Sequence, residues 1–208
     1  MGADVIFLIA ILVVSVVIHE VAHGFAANWL GDPTARLQGR LTLNPIPHVD
    51  PMGSVILPAI LALSGSTFLF GWAKPVPYNP YNFQRGGRWG EALVAAAGPA
   101  ANIAIALMFG LLIRLGVLPV EVVSLGISIV FLNVLLAIFN LVPIPPLDGS
   151  KVLPQLLPRS WALGYERFRT LLERNIFVGF GVVVIFVLAF GSQLATFVSA
   201  ITQAIIGA

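Results

Sequence analysis

Apolar residues run almost unbroken from Val5 to Leu30, long enough as a helix to cross a bilayer. The run stops at Gly31-Asp32-Pro33, a strong helix-ending signal. Residues 91–115 and 120–142 form two more spans of this kind. A last one starts at Asn175, with a weak break at Gly191-Ser192-Gln193. Residues 52–72 are also apolar, but Gly53, Pro58 and Ser64-Gly65-Ser66 interrupt them. Between the spans, RLQGRLTLNPIPHVDP (36–51) mixes β-formers with Gly, Asn and Pro and predicts short extended pieces and turns. KPVPYNPYNFQRGGR (74–88) reads as a loop, and SWALGYERFRTLLERN (160–175) as a solvated amphipathic helix. The pattern predicts an all-α polytopic membrane protein with about four to five transmembrane helices. Short re-entrant or β-like segments complete it.

Composition agrees. Of 208 residues, 58% are hydrophobic and 10% charged, where a soluble domain carries about a quarter charged. The net charge of +2 is spread over short loops and gives no footprint for nucleic acid. Without cysteine, disulfides and thiolate metal sites are excluded. Residues 1–4 lack the Lys or Arg of a signal peptide, so the first span reads as a retained helix. The expectation is a single domain over 1–208, with a core at about 5–155 and a C-terminal membrane segment at 175–208.

Loop charge orients the spans, because Lys and Arg collect on the cytoplasmic side. If the first helix runs inward and 52–72 enters and leaves on one side, Arg36, Arg40, Lys74, Arg85 and Arg88 all lie inside. Lys151, Arg159, Arg167, Arg169 and Arg174 then lie inside as well. A full crossing at 52–72 would split these two basic groups, so the re-entrant path fits better.

Within the first span stands SVVIHEVAHGF. Ionisable groups at bilayer depth are costly and mark function. His19 and His23, four residues apart on a helix, project from one face and can share a Zn²⁺, with Glu20 beside it as general base. Catalytic zinc needs a third protein ligand. Asp4 and Glu121 fall at outer span ends, Glu166 and Glu173 on the amphipathic helix, and Asp32 in a turn. Asp148 follows an apolar span in NLVPIPPLDG, on the same side as the end of the first helix. His19 lies about 21 Å below Val5, so a His₂–carboxylate zinc site is within reach. On spacing alone, an Asp-Gly turn is the alternative for Asp148. His48 reads as a loop histidine without function.

With HEVAH at 19–23, AGPAAN at 97–102, NLVPIPPLDG at 140–149 and FGWAKPVP at 70–77, the chain resembles the site-2 proteases, intramembrane zinc metalloproteases. The resemblance covers roughly 5–155. It implies one zinc held by His19, His23 and Asp148, with Glu20 as general base. It also implies Asn140 near the site, in contact with the substrate or the developing oxyanion; an interhelical hydrogen bond is the equal alternative. For Asn102 a structural role is expected, and for Gly98-Pro99 close helix packing or a kink. The implied substrate is a membrane protein cut in or near a transmembrane helix. The implied setting is the cell membrane, multi-pass, with the site toward the cytoplasm. No PDZ or CBS domain is expected. A zinc transporter and a non-catalytic scaffold are the rivals. An edge in 36–51 or 73–83 is expected to clamp the extended substrate by strand addition.

Overall fold

The computed structural model describes residues 2–64 and 71–207. Gly65, Ser66 and Phe70, which enter the readings above, lie outside the described residues. Among the described residues, four helices are long and apolar enough to cross a membrane: Val5–Leu30, Gly87–Arg114, Val120–Asn140 and Phe177–Ile206. They belong to α1 (Gly2–Leu30), α4 (Gly90–Arg114), α5 (Val120–Asn140) and α8 (Ile176–Ile206). The smaller helices are α2 (Thr34–Leu37), α3 (Leu57–Leu63), α6 (Gly149–Leu156) and α7 (Arg159–Glu173).

The described part of the stretch at 52–72 begins with two short helical pieces. A π-helical segment, Pro51–Ile56, runs into α3, six and seven residues respectively. Together they rise about 20 Å, short of the ~30 Å hydrocarbon core. Gly53 is required here, since a Cβ would lie 2.3 Å from the Trp72 indole. The β-like character expected at 36–51 takes the form of turns. Thr42 Oγ1 accepts from Asn44 N–H and Asn44 Oδ1 from Ile46 N–H, and Ile46–His48 is a single 3₁₀ turn. No strand forms there among the described residues. Side chains that bond their own backbone compete with a ladder, and Pro45, Pro47 and Pro51 supply no donors to one. The break expected at Gly191-Ser192-Gln193 is absent, because α8 runs through it.

Packing and end contacts fix the helix directions. α4 lies between α1 and α5, and α5 also packs on α8. Val94 and Asn102 of α4 bond His23 and His19 of α1, so these two helices are antiparallel. At the far end of α4, the Arg114 guanidinium donates to the carbonyls of Ala204 and Ile205, closing the C-terminus of α8. Leu30, Gly90, Asn140 and Ile176 therefore share one end of the bundle. Its apolar half is built by Ala106, Val130, Val134 and Val198, all buried, with Phe109, Phe131 and Leu194 around them.

Asp32 fastens the loops at the Leu30 end. It is fully buried. Its Oδ1 accepts from Thr34 Oγ1 at 2.5 Å and Asn82 Nδ2 at 2.8 Å, and its Oδ2 from Asn79 N–H at 2.7 Å. The turn residue of the sequence reading thus also ties down the 79–82 loop. Burial alone would raise its pKa, but the bonds from Thr34, Asn82 and Asn79 outweigh burial and hold it below the ordinary value. Asp32→Ala should cost about 1–3 kcal/mol by stranding these donors. A lowered folded pKa contributes stability that is fully present above the unfolded value and is lost as pH falls below it through the folded value. The gap between wild type and Asp32→Ala in thermal unfolding should therefore close below about pH 4. A gap unchanged by acid would contradict this account.

Candidate metal centre

The site is assembled where α1 faces α4. On α1, residues 15, 19 and 23 repeat every four positions. On α4, residues 94, 98 and 102 do the same in the opposite direction, so the two faces mesh turn for turn. His23 Nδ1 meets the Val94 carbonyl at 2.7 Å. A carbonyl only accepts, so His23 Nδ1 carries the hydrogen and Nε2 is left with its lone pair.

The tautomer of His19 follows from a longer chain. Asn133 Nδ2 donates to the Ile129 carbonyl at 2.9 Å and to Ser15 Oγ at 3.0 Å. Asn133 Oδ1 is thereby turned to Asn102 and accepts from its Nδ2 at 2.8 Å. That leaves Asn102 Oδ1 facing His19 Nδ1, 2.6 Å away. His19 Nδ1 must donate, and its Nε2 is also a free acceptor. Ser15, His19, Asn102 and Asn133 are all buried, so no water competes for these bonds.

Both Nε2 atoms converge on Asp148. Its Oδ2 lies 3.1 Å from His19 Nε2 and 3.3 Å from His23 Nε2. With both rings neutral, two lone pairs and a carboxylate oxygen around one point repel one another unless a proton or a metal cation lies between them. The ligand separations also match the edge of a tetrahedral zinc site with bonds of 2.0–2.1 Å, about 3.3 Å. Gly98 makes the convergence possible, since a Cβ there would sit 2.5 Å from His23 Nε2 and 2.6 Å from His19 Nε2. The ligand atoms of His19, Glu20 and His23 lie within 4.8 Å of one another, a group able to hold a metal ion. Burial would push the Asp148 carboxyl up, but its contacts with His19 and His23 hold it well below the ordinary carboxylate range.

These residues open onto a cleft of about 580 Å³. Glu20 lines it, with Oε2 accepting from the Val76 N–H at 2.8 Å. The segment that supplies Val76 is fastened along one edge. Trp72 N–H donates to the Gly53 carbonyl, Lys74 N–H to the His48 carbonyl, and Arg40 Nη2 to the Lys74 carbonyl at 2.7 Å. Ala73 and Pro75 face the cleft between these anchors. Lys151 also lines the cleft, with Nζ 5.3 Å from the centre of the Tyr78 ring. Burial opposes its charge, yet Tyr78 and Asp148 more than compensate and keep it a cation.

Asn140 lies on the cleft wall beside Leu136 and Phe139, with its Nδ2 on the Leu136 carbonyl of its own helix. His48 is buried in the 36–50 loop, where its Nε2 donates to the Thr42 carbonyl at 3.0 Å. Its ring closes that loop on itself and is not among the residues lining the cleft. Glu91 pairs with Arg169 at 3.3 Å, and Glu173 with Arg169 at 3.8 Å. Sequence reasoning missed Asn102 as the partner of His19, and with it Asn133 and Ser15. The available signal was the four-residue step from Gly98 to Asn102, which repeats that of His19 to His23.

The model of Peptidase family M50 matches residues 7–120 and 117–188. YwhC of Bacillus subtilis, named as a candidate zinc metalloprotease, is 40% identical over 161 residues, 73% of this chain and 69% of that protein. The Rip2 proteins of Mycolicibacterium smegmatis and Mycobacterium tuberculosis carry the same description. They are 36% and 35% identical over 159 and 158 residues, 74% of this chain in each case. The chain spans 59% of the length of these mycobacterial relatives. No solved structure matches the chain significantly. A buried HEVAH helix in a four-span apolar bundle and a family match over most of its length agree: the chain belongs to peptidase family M50, the site-2 protease family of membrane zinc metallopeptidases.

Proposed function

We propose that His19, His23 and Asp148 hold one zinc ion, and that the chain uses it to hydrolyse peptide bonds in or near transmembrane segments of other membrane proteins. The observation that carries this reading is the convergence of two buried histidines and the half-buried Asp148 carboxylate, with Glu20 beside them. When bound, zinc supplies Lewis acidity, lowering the pKa of a water from 15.7 to about 7 and polarising a carbonyl. Glu20 takes the proton of the attacking water and delivers it to the leaving amine. The Val76 N–H occupies Oε2, which leaves Oε1 for that proton. Asn102 and the Val94 carbonyl keep both imidazoles in the tautomer whose Nε2 can bind metal. Asn140 stands where it can meet the substrate carbonyl or backbone.

A substrate helix hides its carbonyls in hydrogen bonds and must unwind before attack. The 72–78 segment supplies more of the cleft lining than 36–51, which contributes Asp50, and so is favoured as the edge. An extended substrate laid against Ala73 and Pro75 gains main-chain bonds in place of its helical ones. The cytoplasmic side is assigned by charge. Ten of the 11 Lys and Arg residues lie at the Leu30 end of the bundle, and Arg114 alone lies at the other. Residues 1–208 act as one catalytic unit in this reading, since Phe180 and Val183 of α8 also line the cleft. Among the described residues, the buried polar groups outward of His19 are Ser15, Asn102, Asn133 and Thr202, none of them a carboxylate or histidine of the kind a zinc-transit path needs.

In proteoliposomes with a membrane substrate, Glu20→Gln should keep zinc and lose cleavage by about 10²–10⁴-fold. Persisting cleavage would remove the peptidase mechanism. Asn102→Leu should weaken zinc binding about 10–100-fold in chelator competition, and Gly98→Ala should abolish it by displacing both imidazoles. Ala73→Pro should retain zinc and lower cleavage about tenfold, and wild-type rates in that variant would eliminate the clamp.

A further inference from the structure

α7 presents two different faces. One is docked on the bundle: Leu172 is buried, Tyr165 Oη donates to the Pro143 carbonyl at 2.9 Å, and Arg169 pairs with Glu91. The neighbouring face, at steps of three, four and three, carries Trp161, Gly164, Phe168 and Leu171. Trp161 is 71% exposed, Phe168 45% and Leu171 64%. Arg167 and Arg174, seven residues apart, flank this face and are exposed as well.

A helix bathed only in water would not keep three large apolar side chains outward together. The face also continues beyond α7. α8 starts two residues after Arg174, and Phe177 and Val178 in its first turn are again exposed, now at the start of a membrane span. Tryptophan at the bilayer interface, an apolar face and flanking arginines are what headgroups and the outer acyl region receive. Glu173 is engaged by Arg169, so the exposed charge beside the apolar face is mainly positive. Each such cation near an anionic surface contributes on the order of 1 kcal/mol.

We propose that α7 is an in-plane anchor that seats Trp161, Phe168 and Leu171 at the bilayer interface and binds anionic phospholipid headgroups through Arg167 and Arg174. Because Tyr165 holds the Pro143 carbonyl, the anchor also steadies the loop that carries Asp148.

The chain has no cysteine, so single substitutions place a spin label at one position only. The full chain is reconstituted in nanodiscs of phosphatidylcholine, with or without a quarter phosphatidylglycerol, carrying a label at Trp161→Cys, Leu171→Cys or, as a control, Thr170→Cys. Zinc content certifies each variant as folded. Labels at 161 and 171 should be more accessible to oxygen than to a water-soluble nickel chelate, with the reverse at 170. Phosphatidylglycerol should deepen the first two, and Arg167→Gln/Arg174→Gln should abolish that deepening. Equal water access at 161, 170 and 171 would overturn the anchor. Dipolar coupling between labels on two chains would assign the face to a second copy instead, and depth indifferent to phosphatidylglycerol would overturn the anionic-lipid contact.

Discussion

Everything at the centre of this protein depends on the antiparallel meshing of α1 with α4. Two histidines in an apolar helix are only a cost until something fixes their tautomers and clears space at their Nε2 atoms. α4 does both with three positions, one per turn. The Val94 carbonyl orients His23, Gly98 leaves the space, and Asn102 orients His19. A shift of one residue in the contact would turn Gly98 away and bring a side chain against the imidazoles. α5 adds Asn133, whose bond to the Ile129 carbonyl sets the direction of every hydrogen bond back to His19.

The loops at the Leu30 end depend on this frame. Asp32, at the end of α1, holds Asn79 and Asn82, and Arg40 holds the Lys74 carbonyl. Between those fixed points the 72–78 segment passes over Glu20 and gives it the Val76 N–H. The general base of the proposed reaction is thus held from outside its own helix by a segment that also borders the cleft. In the proposed reaction, binding of substrate and placement of the base are joined in one stretch of backbone.

How much of this could be read from the sequence divides along physical lines. The spans were legible because a bilayer demands length and apolarity, both local properties. His19, Glu20 and His23 were legible as a candidate metal group because a four-residue helical step brings their side chains together without tertiary information. Asp148 needed topology, which loop charge supplied. Asn102 and Gly98 were not legible as site residues, since their roles exist only in the register between two helices. The turns of 36–51 were half legible: β-forming side chains suggested strands, while Asn, Thr and Pro closed the backbone locally. Gly191-Ser192 failed as a break because backbone groups in a bilayer have no water to take their hydrogen bonds.

The buried Ser15–Asn133–Asn102–His19 chain has a further consequence. An enzyme that brings water to a metal at membrane depth runs the risk of wiring the two compartments together. Amides and a serine bonded to one another turn in place but offer no titrating group to hand protons onward. Beyond Ser15, residues 5–14 are all apolar. The polar column that orients His19 therefore also ends there as an electrical insulator, so the site can be wet from one side without short-circuiting the membrane it sits in.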